Sequence, residues 1–190
     1  MTDVISKITE RLGELARQRP GETFYALAID AGCVCLNSEE AFDETRKRYL
    51  VNWANDNAPL SPETVDQDSH RLKRFLRRDP ENTIERYLDQ ENAKRAERRA
   101  AGNPYADPDS PDSHRLRDRP GNWKYGELVE CVSDADEFEH YDLDDDAQTT
   151  STYQQIVAGI LKDLNDHRDT VFATLNLTPN FRMFASEHGY

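Results

Sequence analysis

The densest set of ligating side chains in the chain is Asp136-Glu137-Phe138-Glu139-His140-Tyr141-Asp142-Leu143-Asp144-Asp145-Asp146, with oxygen enough to hold a divalent cation. A calcium loop needs a glycine at its sixth position and a closing bidentate glutamate, and this spacing has neither. Acidic runs of this kind are solvated loops or interaction surfaces. Glu137, Phe138, Glu139, Tyr141, Asp142, Asp144 and Asp145 are therefore read as partner-binding residues, the carboxylates for Lys and Arg of a protein partner and the two rings as anchors.

The remaining chemistry-bearing residues do not assemble into a recognisable motif. Cys33, Cys35 and Cys131 are odd in number, and Cys-Val-Cys puts two thiols on one face of a strand. Neither a disulfide framework nor a metal site follows, and the thiols are expected reduced and buried. The histidines at 70, 114, 140, 167 and 188 stand among polar neighbours and are expected at the surface. There is no nucleophile elbow, no His-Glu-x-x-His and no glycine-rich phosphate loop. No catalytic residue, metal ligand set or cofactor is assigned. Trp53, Trp123 and Tyr125 read as core or boundary aromatics, since an aromatic body with a polar tip suits that position.

Several elements must position these groups. Val4, Ile5, Ile8, Leu12 and Leu15 recur at helical spacing, and Pro20-Gly21 ends the helix. Phe24 to Asp30 and Cys33 to Leu36 are short apolar runs around Ala31-Gly32, which predicts a β-hairpin. Asn37-Ser38-Glu39-Glu40 then starts a helix whose apolar positions are Ala41, Phe42, Thr45, Tyr49 and Trp53, expected to pack on the sheet. Prolines punctuate the region from Asn55 to Asn122, within which Glu81 to Ala100 predicts a helix with a basic end. The repeated Asp-Ser-His-Arg-Leu at 68–72 and 112–116 reads as coincidence or as two similar helix starts. Thr150-Ser151-Thr152 caps a last amphipathic helix carrying Tyr153, Ile156, Val157, Ile160, Leu161 and Leu164. Thr170 to Leu177 fits helix or strand, and Phe181 to Ala185 fits a final strand. The expected architecture is α+β. It is a small antiparallel sheet packed against several helices, in one domain over residues 1–190 with a charged, partly helical insert at 55–120.

Composition narrows the partners. The 190 residues include 37 Asp and Glu against 24 Lys and Arg, for a net charge of −13. Such a balance repels phosphate backbones and anionic lipid and favours encounter with a basic protein. No apolar stretch approaches the roughly 20 residues of a membrane-spanning helix. The start Met1-Thr2-Asp3-Val4 lacks the features of a secretory signal, so a cytoplasmic location is expected.

Three segments carry a resemblance. Phe24-Tyr25-Ala26-Leu27, then Asn37-Ser38-Glu39-Glu40, then Asn122-Trp123-Lys124-Tyr125 ahead of an acidic stretch and a C-terminal amphipathic helix, resemble the bacterial domain-of-unknown-function family DUF4303. There an apolar "fyal" strand leads to an "NTEE"-like helix start and a "W.pgdWky"-like segment. The match covers residues 1–54 and 120–175; Ser38 stands where Thr is usual, and Arg119 or Pro120 where an upstream Trp stands. The resemblance brings no catalytic residues with it and implies an immunity-type role, the masking of a cognate toxin. Two other readings remain at this stage: a metal-binding enzyme or regulator using the 136–146 segment, and an adaptor whose interface lies in the charged insert.

Overall fold

Strand β1 (Thr23–Asp30) returns antiparallel as β2 (Cys33–Ser38) on two residues, Ala31 and Gly32, with φ of 45° and 75°. Two successive positive φ angles match the twist of a hairpin, so the short apolar runs pair in register from Asp30–Cys33 to Ala26–Asn37. A Cβ on Gly32 would lie 2.6 Å from the Val132 carbonyl oxygen. Gly32→Ala is therefore expected to cost about 1–3 kcal/mol, since it adds a clash to a left-handed backbone. Ala31→Asn, whose side chain tolerates that backbone, is expected to stabilise by roughly 0.5–1 kcal/mol. Urea midpoints moving in opposite directions would check both.

The computed structural model of the protein describes residues 2–132 and 146–186. The chain divides into two compact units, one comprising residues 1–45 and 115–190 and the other Arg46–His114. In the first unit β3 (Tyr125–Glu130) and β4 (Asn176–Ala185) complete a four-stranded sheet in the order β3-β2-β1-β4. β3 pairs antiparallel with β2, but β4 runs parallel to β1, so the sheet is mixed, not wholly antiparallel as expected. The reason is topological. β3 and β4 point the same way on opposite edges, and a parallel return needs a crossover, here built from the helix α6 (Asp146–Asp166). The fold class is α+β, as expected.

Helix α1 (Thr2–Gln18) places Ile8, Leu12 and Leu15 in the core, with Val4 and Ile5 half-buried beside them. From α6 come Val157, Ile160 and Leu164, with Tyr153 and Leu161 at the margin. They meet Phe24, Leu27 and Ile29 of β1 and Val34 and Leu36 of β2. Each such side chain contributes about 1.5–3 kcal/mol when fully buried. Ile156, expected on the same apolar face of α6, is 38% exposed. The helix also begins at Asp146, before the Thr-Ser-Thr that was expected to cap it. The segment read as helix or strand resolves into α7 (Arg168–Val171), a turn carrying Phe172 and Leu175, and the start of β4.

The second unit has its own small core, Val65, Leu72 and Leu88, flanked by Leu60, Leu76, Ile84 and Tyr87. It contains α3 (His70–Arg78) and α4 (Ile84–Ala101). Asn92 on α4 clamps the preceding loop, accepting from Leu60 N at 2.7 Å and donating to Leu60 O at 2.9 Å. The unit boundaries differ from the insert of 55–120 drawn at prolines. The first boundary falls within α2 (Glu39–Asp56), whose Ala41, Phe42 and Thr45 are buried, while Tyr49 lies in the second unit against Tyr105 with ring centroids 5.1 Å apart. The second falls within α5 (Pro111–Arg117). The repeated pentapeptide is used in two ways. Ser69 caps α3 by accepting from Leu72 N, whereas Ser113 lies inside α5, its hydroxyl donating to Asp107 O at 2.8 Å while Ser110 does the capping.

Charge is divided unequally between the units. Arg46–His114 carries 13 Lys and Arg and 13 Asp and Glu, so the whole net charge of −13 belongs to the first unit, with 24 acids against 11 bases. Among the described residues no helix is long and apolar enough to cross a membrane.

Candidate functional site

Glu137, Phe138, Glu139, Tyr141, Asp142, Asp144 and Asp145, the residues read from sequence as partner-binding, lie outside the described residues, as do His140 and His188. Among the described residues no group of three His, Cys, Asp or Glu is placed to hold a metal ion. His70, His114 and His167 are exposed, as expected. The cysteines are free, but only Cys35 is fully buried, and Cys33 and Cys131 are half-buried. Burial raises the Cys35 thiol and pushes Cys131 up to about 11, so both are neutral thiols at physiological pH.

The described arrangement that stands out is a convergence of the three motif segments in the first unit. Every ladder of the sheet shifts register in this part of the fold: β1 between Phe24 and Ala26 opposite β2, β4 between Leu177 and Arg182, and β3 between Tyr125 and Val129. Glu127 has φ 52° within the last of these. A bulge re-aims side chains, and here it leaves Tyr25 between the paired residues Phe24 and Ala26. The Tyr25 hydroxyl accepts from Asn37 Nδ2 at 2.8 Å and donates to Arg117 O at 3.0 Å. Trp123 Nε1 donates to the same carbonyl at 2.9 Å. The Arg117 guanidinium lies over the Tyr25 ring, 4.0 Å from its centroid, and pairs with Glu39. Tyr25 meets Trp123 edge-on at 6.1 Å and Phe42 at 6.5 Å, and Trp123 meets Phe184 at 5.9 Å.

A second group is built from the same motifs. Ser38, adjacent to Asn37 in β2, donates to Glu22 at 2.5 Å and accepts from Ala41 N, capping α2. Tyr125 donates to the same carboxylate at 2.6 Å. Glu40 accepts from Thr23 N at 2.9 Å. All four residues of Asn-Ser-Glu-Glu are thus tied to other segments of the unit.

What can this arrangement do chemically? Burial raises the Tyr25 phenol well above its ordinary value, with the Asn37 donor and Arg117 charge opposing only in part. Burial, and then the Glu22 carboxylate, raise Tyr125 likewise. Both phenols hold their protons at neutral pH and are engaged as donors. Glu22, Ser38, Glu39 and Arg117 each have a partner in the unit, and Ser38 is fully buried, so the cluster ties these segments together. One acceptor is left over: Asn37 Oδ1 is buried without a hydrogen-bond partner.

The expectation of Trp123 and Tyr125 as core or boundary aromatics matches their exposures of 7% and 8%. Sequence reasoning did not single out Glu22 and Arg117. The only signal toward them was that three separated segments share one pattern order. Comparison with protein-family models, curated proteins and solved structures finds no match for this chain.

Proposed function

We propose that this chain is a non-enzymatic protein-binding module of the immunity type, which holds a basic partner, a cognate toxin domain, through an acidic surface of the first unit. The observation that carries the reading is the division of charge: all of the excess of acids belongs to the first unit, and no Lys or Arg occurs from Glu127 to Asp146. A field of one sign steers an oppositely charged protein into encounter and raises its association rate. The engaged cluster around Tyr25 and Glu22 supports a scaffold that presents a surface over a site that turns over substrate. The resemblance of the three motifs to DUF4303, whose members are encountered near bacterial toxin systems, points the same way, and a cytoplasmic location belongs to this proposal.

Capture by the tagged protein from its native cells, with mass spectrometry at low and high salt, is expected to yield one stoichiometric basic partner. Reversing Glu137, Glu139, Asp142 and Asp144 to Lys is then expected to slow association at least tenfold at low salt, and to flatten its salt dependence. An unchanged association rate would remove the acidic segment from the interface.

A further inference from the structure

The second unit presents a surface of opposite sign. Helix α3 (His70–Arg78) has five Lys and Arg in nine residues and no acid. One side of it is committed: Leu72 is 1% exposed in the small core, Leu76 packs beside it, and the Phe75 ring meets Tyr87 at 5.4 Å. Ser69 caps the first turn, and Asn82 Nδ2 donates to Phe75 O at 2.8 Å near the last. This anchoring turns His70, Lys73, Arg74, Arg77 and Arg78 toward solvent along one cleft. They form three levels one helical turn apart, about 5 Å each. Lys73 is paired with Asp68 at 2.7 Å, but Asp68 is 94% exposed and the pair holds little. Among the described residues Arg74, Arg77 and Arg78 have no carboxylate within ion-pair distance.

Like charges three and four residues apart repel along a helix. The neighbouring α4 interleaves Glu85, Asp89, Glu91 and Glu97 with its bases, and α3 does not. An external anion would relieve that repulsion, and arginine forks fit carboxylates bidentately. We infer that the exposed face of α3 is a docking surface for a short acidic segment of a partner protein, distinct from the acidic surface proposed above and independent of it. Charge complementarity commits the surface to an anion, and two observations select among anions. A nucleic acid extends far beyond three helical levels, and the unit that carries α3 has no excess of bases for its further phosphates, with 13 Lys and Arg against 13 Asp and Glu. Insertion into a membrane needs an apolar face, and Leu72, Phe75 and Leu76 are already packed on α4, which leaves only surface adsorption to anionic lipid for the vesicle probe to measure.

The test is fluorescence anisotropy on the full chain with a labelled oligoglutamate peptide. Single-stranded RNA and phosphatidylserine vesicles serve as parallel probes. The peptide is expected to bind at low salt more tightly than either, and Arg74→Glu/Arg77→Glu is expected to weaken it at least tenfold, with Arg74→Gln/Arg77→Gln in between. Both pairs are exposed, so circular dichroism and capture of the basic partner should be unchanged, which separates this surface from the acidic one. Absence of peptide binding, equal affinity in the reversed variant, or tighter binding of RNA or vesicles would overturn the inference.

Discussion

Trp123→Ala is expected to lower the unfolding free energy by about 3–5 kcal/mol, the range for removing a large ring from a packed site. Trp123 is 7% exposed and lies edge-on to both Tyr25 and Phe184, so its removal opens a space bounded by two rings. It also removes the Nε1 donor from Arg117 O, a carbonyl shared with the Tyr25 hydroxyl. Trp123→Phe keeps most of the ring contact and loses the donor, and should cost roughly 1–2 kcal/mol. Urea unfolding of the two variants separates packing from hydrogen bonding. If the alanine variant lost less than about 1 kcal/mol, Trp123 would be a surface ring available to a ligand, and the positioning role of the cluster would fall.

Much of the first unit was legible because its signals are local. Ile8, Leu12 and Leu15 repeat at helical spacing, and Ala31-Gly32 stands between two apolar runs. The parallel β4 was not legible as one strand. Pro179 interrupts it, and its register against β1 jumps from Leu177 to Arg182, so it reads as two fragments. β3 hid behind its acids, being a bulged edge strand with Glu127 and Glu130 exposed. The boundary at Arg46 has no punctuation, since α2 runs through it from Glu39 to Asp56. In the candidate site, Asn37 and Ser38 were read as a helix start. Ser38 does cap α2, but the two residues also close β2, buried at 2% and 0%. Polar residues can end a buried strand only when their partners are supplied, and those partners are Tyr25 and Glu22. Arg117 and Tyr125 reach the same place from 92 and 103 residues away, a distance over which no periodicity carries information.

Two phenols of the cluster and two thiols elsewhere in the unit make the protein sensitive to alkali. Tyr25, Tyr125, Cys35 and Cys131 are all acids whose neutral form is favoured in the folded chain, chiefly by burial. The sign follows directly. Above its ordinary value each group loses its proton in the unfolded chain and keeps it in the folded one, so the unfolded state binds fewer protons and stability falls as pH rises. The contribution is complete below pH 9, the ordinary thiol value, and Cys131 loses it between there and about 11. The phenols act from pH 10 upward. Each group that titrates only in the unfolded chain removes up to about 1.4 kcal/mol per pH unit, less for the half-exposed Cys131, where solvent screens the effect. Denaturant unfolding between pH 7 and 11, with near-ultraviolet absorbance following tyrosinate, is expected to show flat stability and then a steepening loss, with the two phenols ionising only as the helical signal disappears. Cys131→Ala should shallow the loss between pH 9 and about 11, and Tyr125→Phe should shallow the slope above pH 10. Tyrosinate forming for every tyrosine at its ordinary value in a still-folded protein would show that Tyr25 and Tyr125 are not held by burial and the Glu22 carboxylate. The polar clasp joining the three motifs would then have to be rebuilt on other contacts.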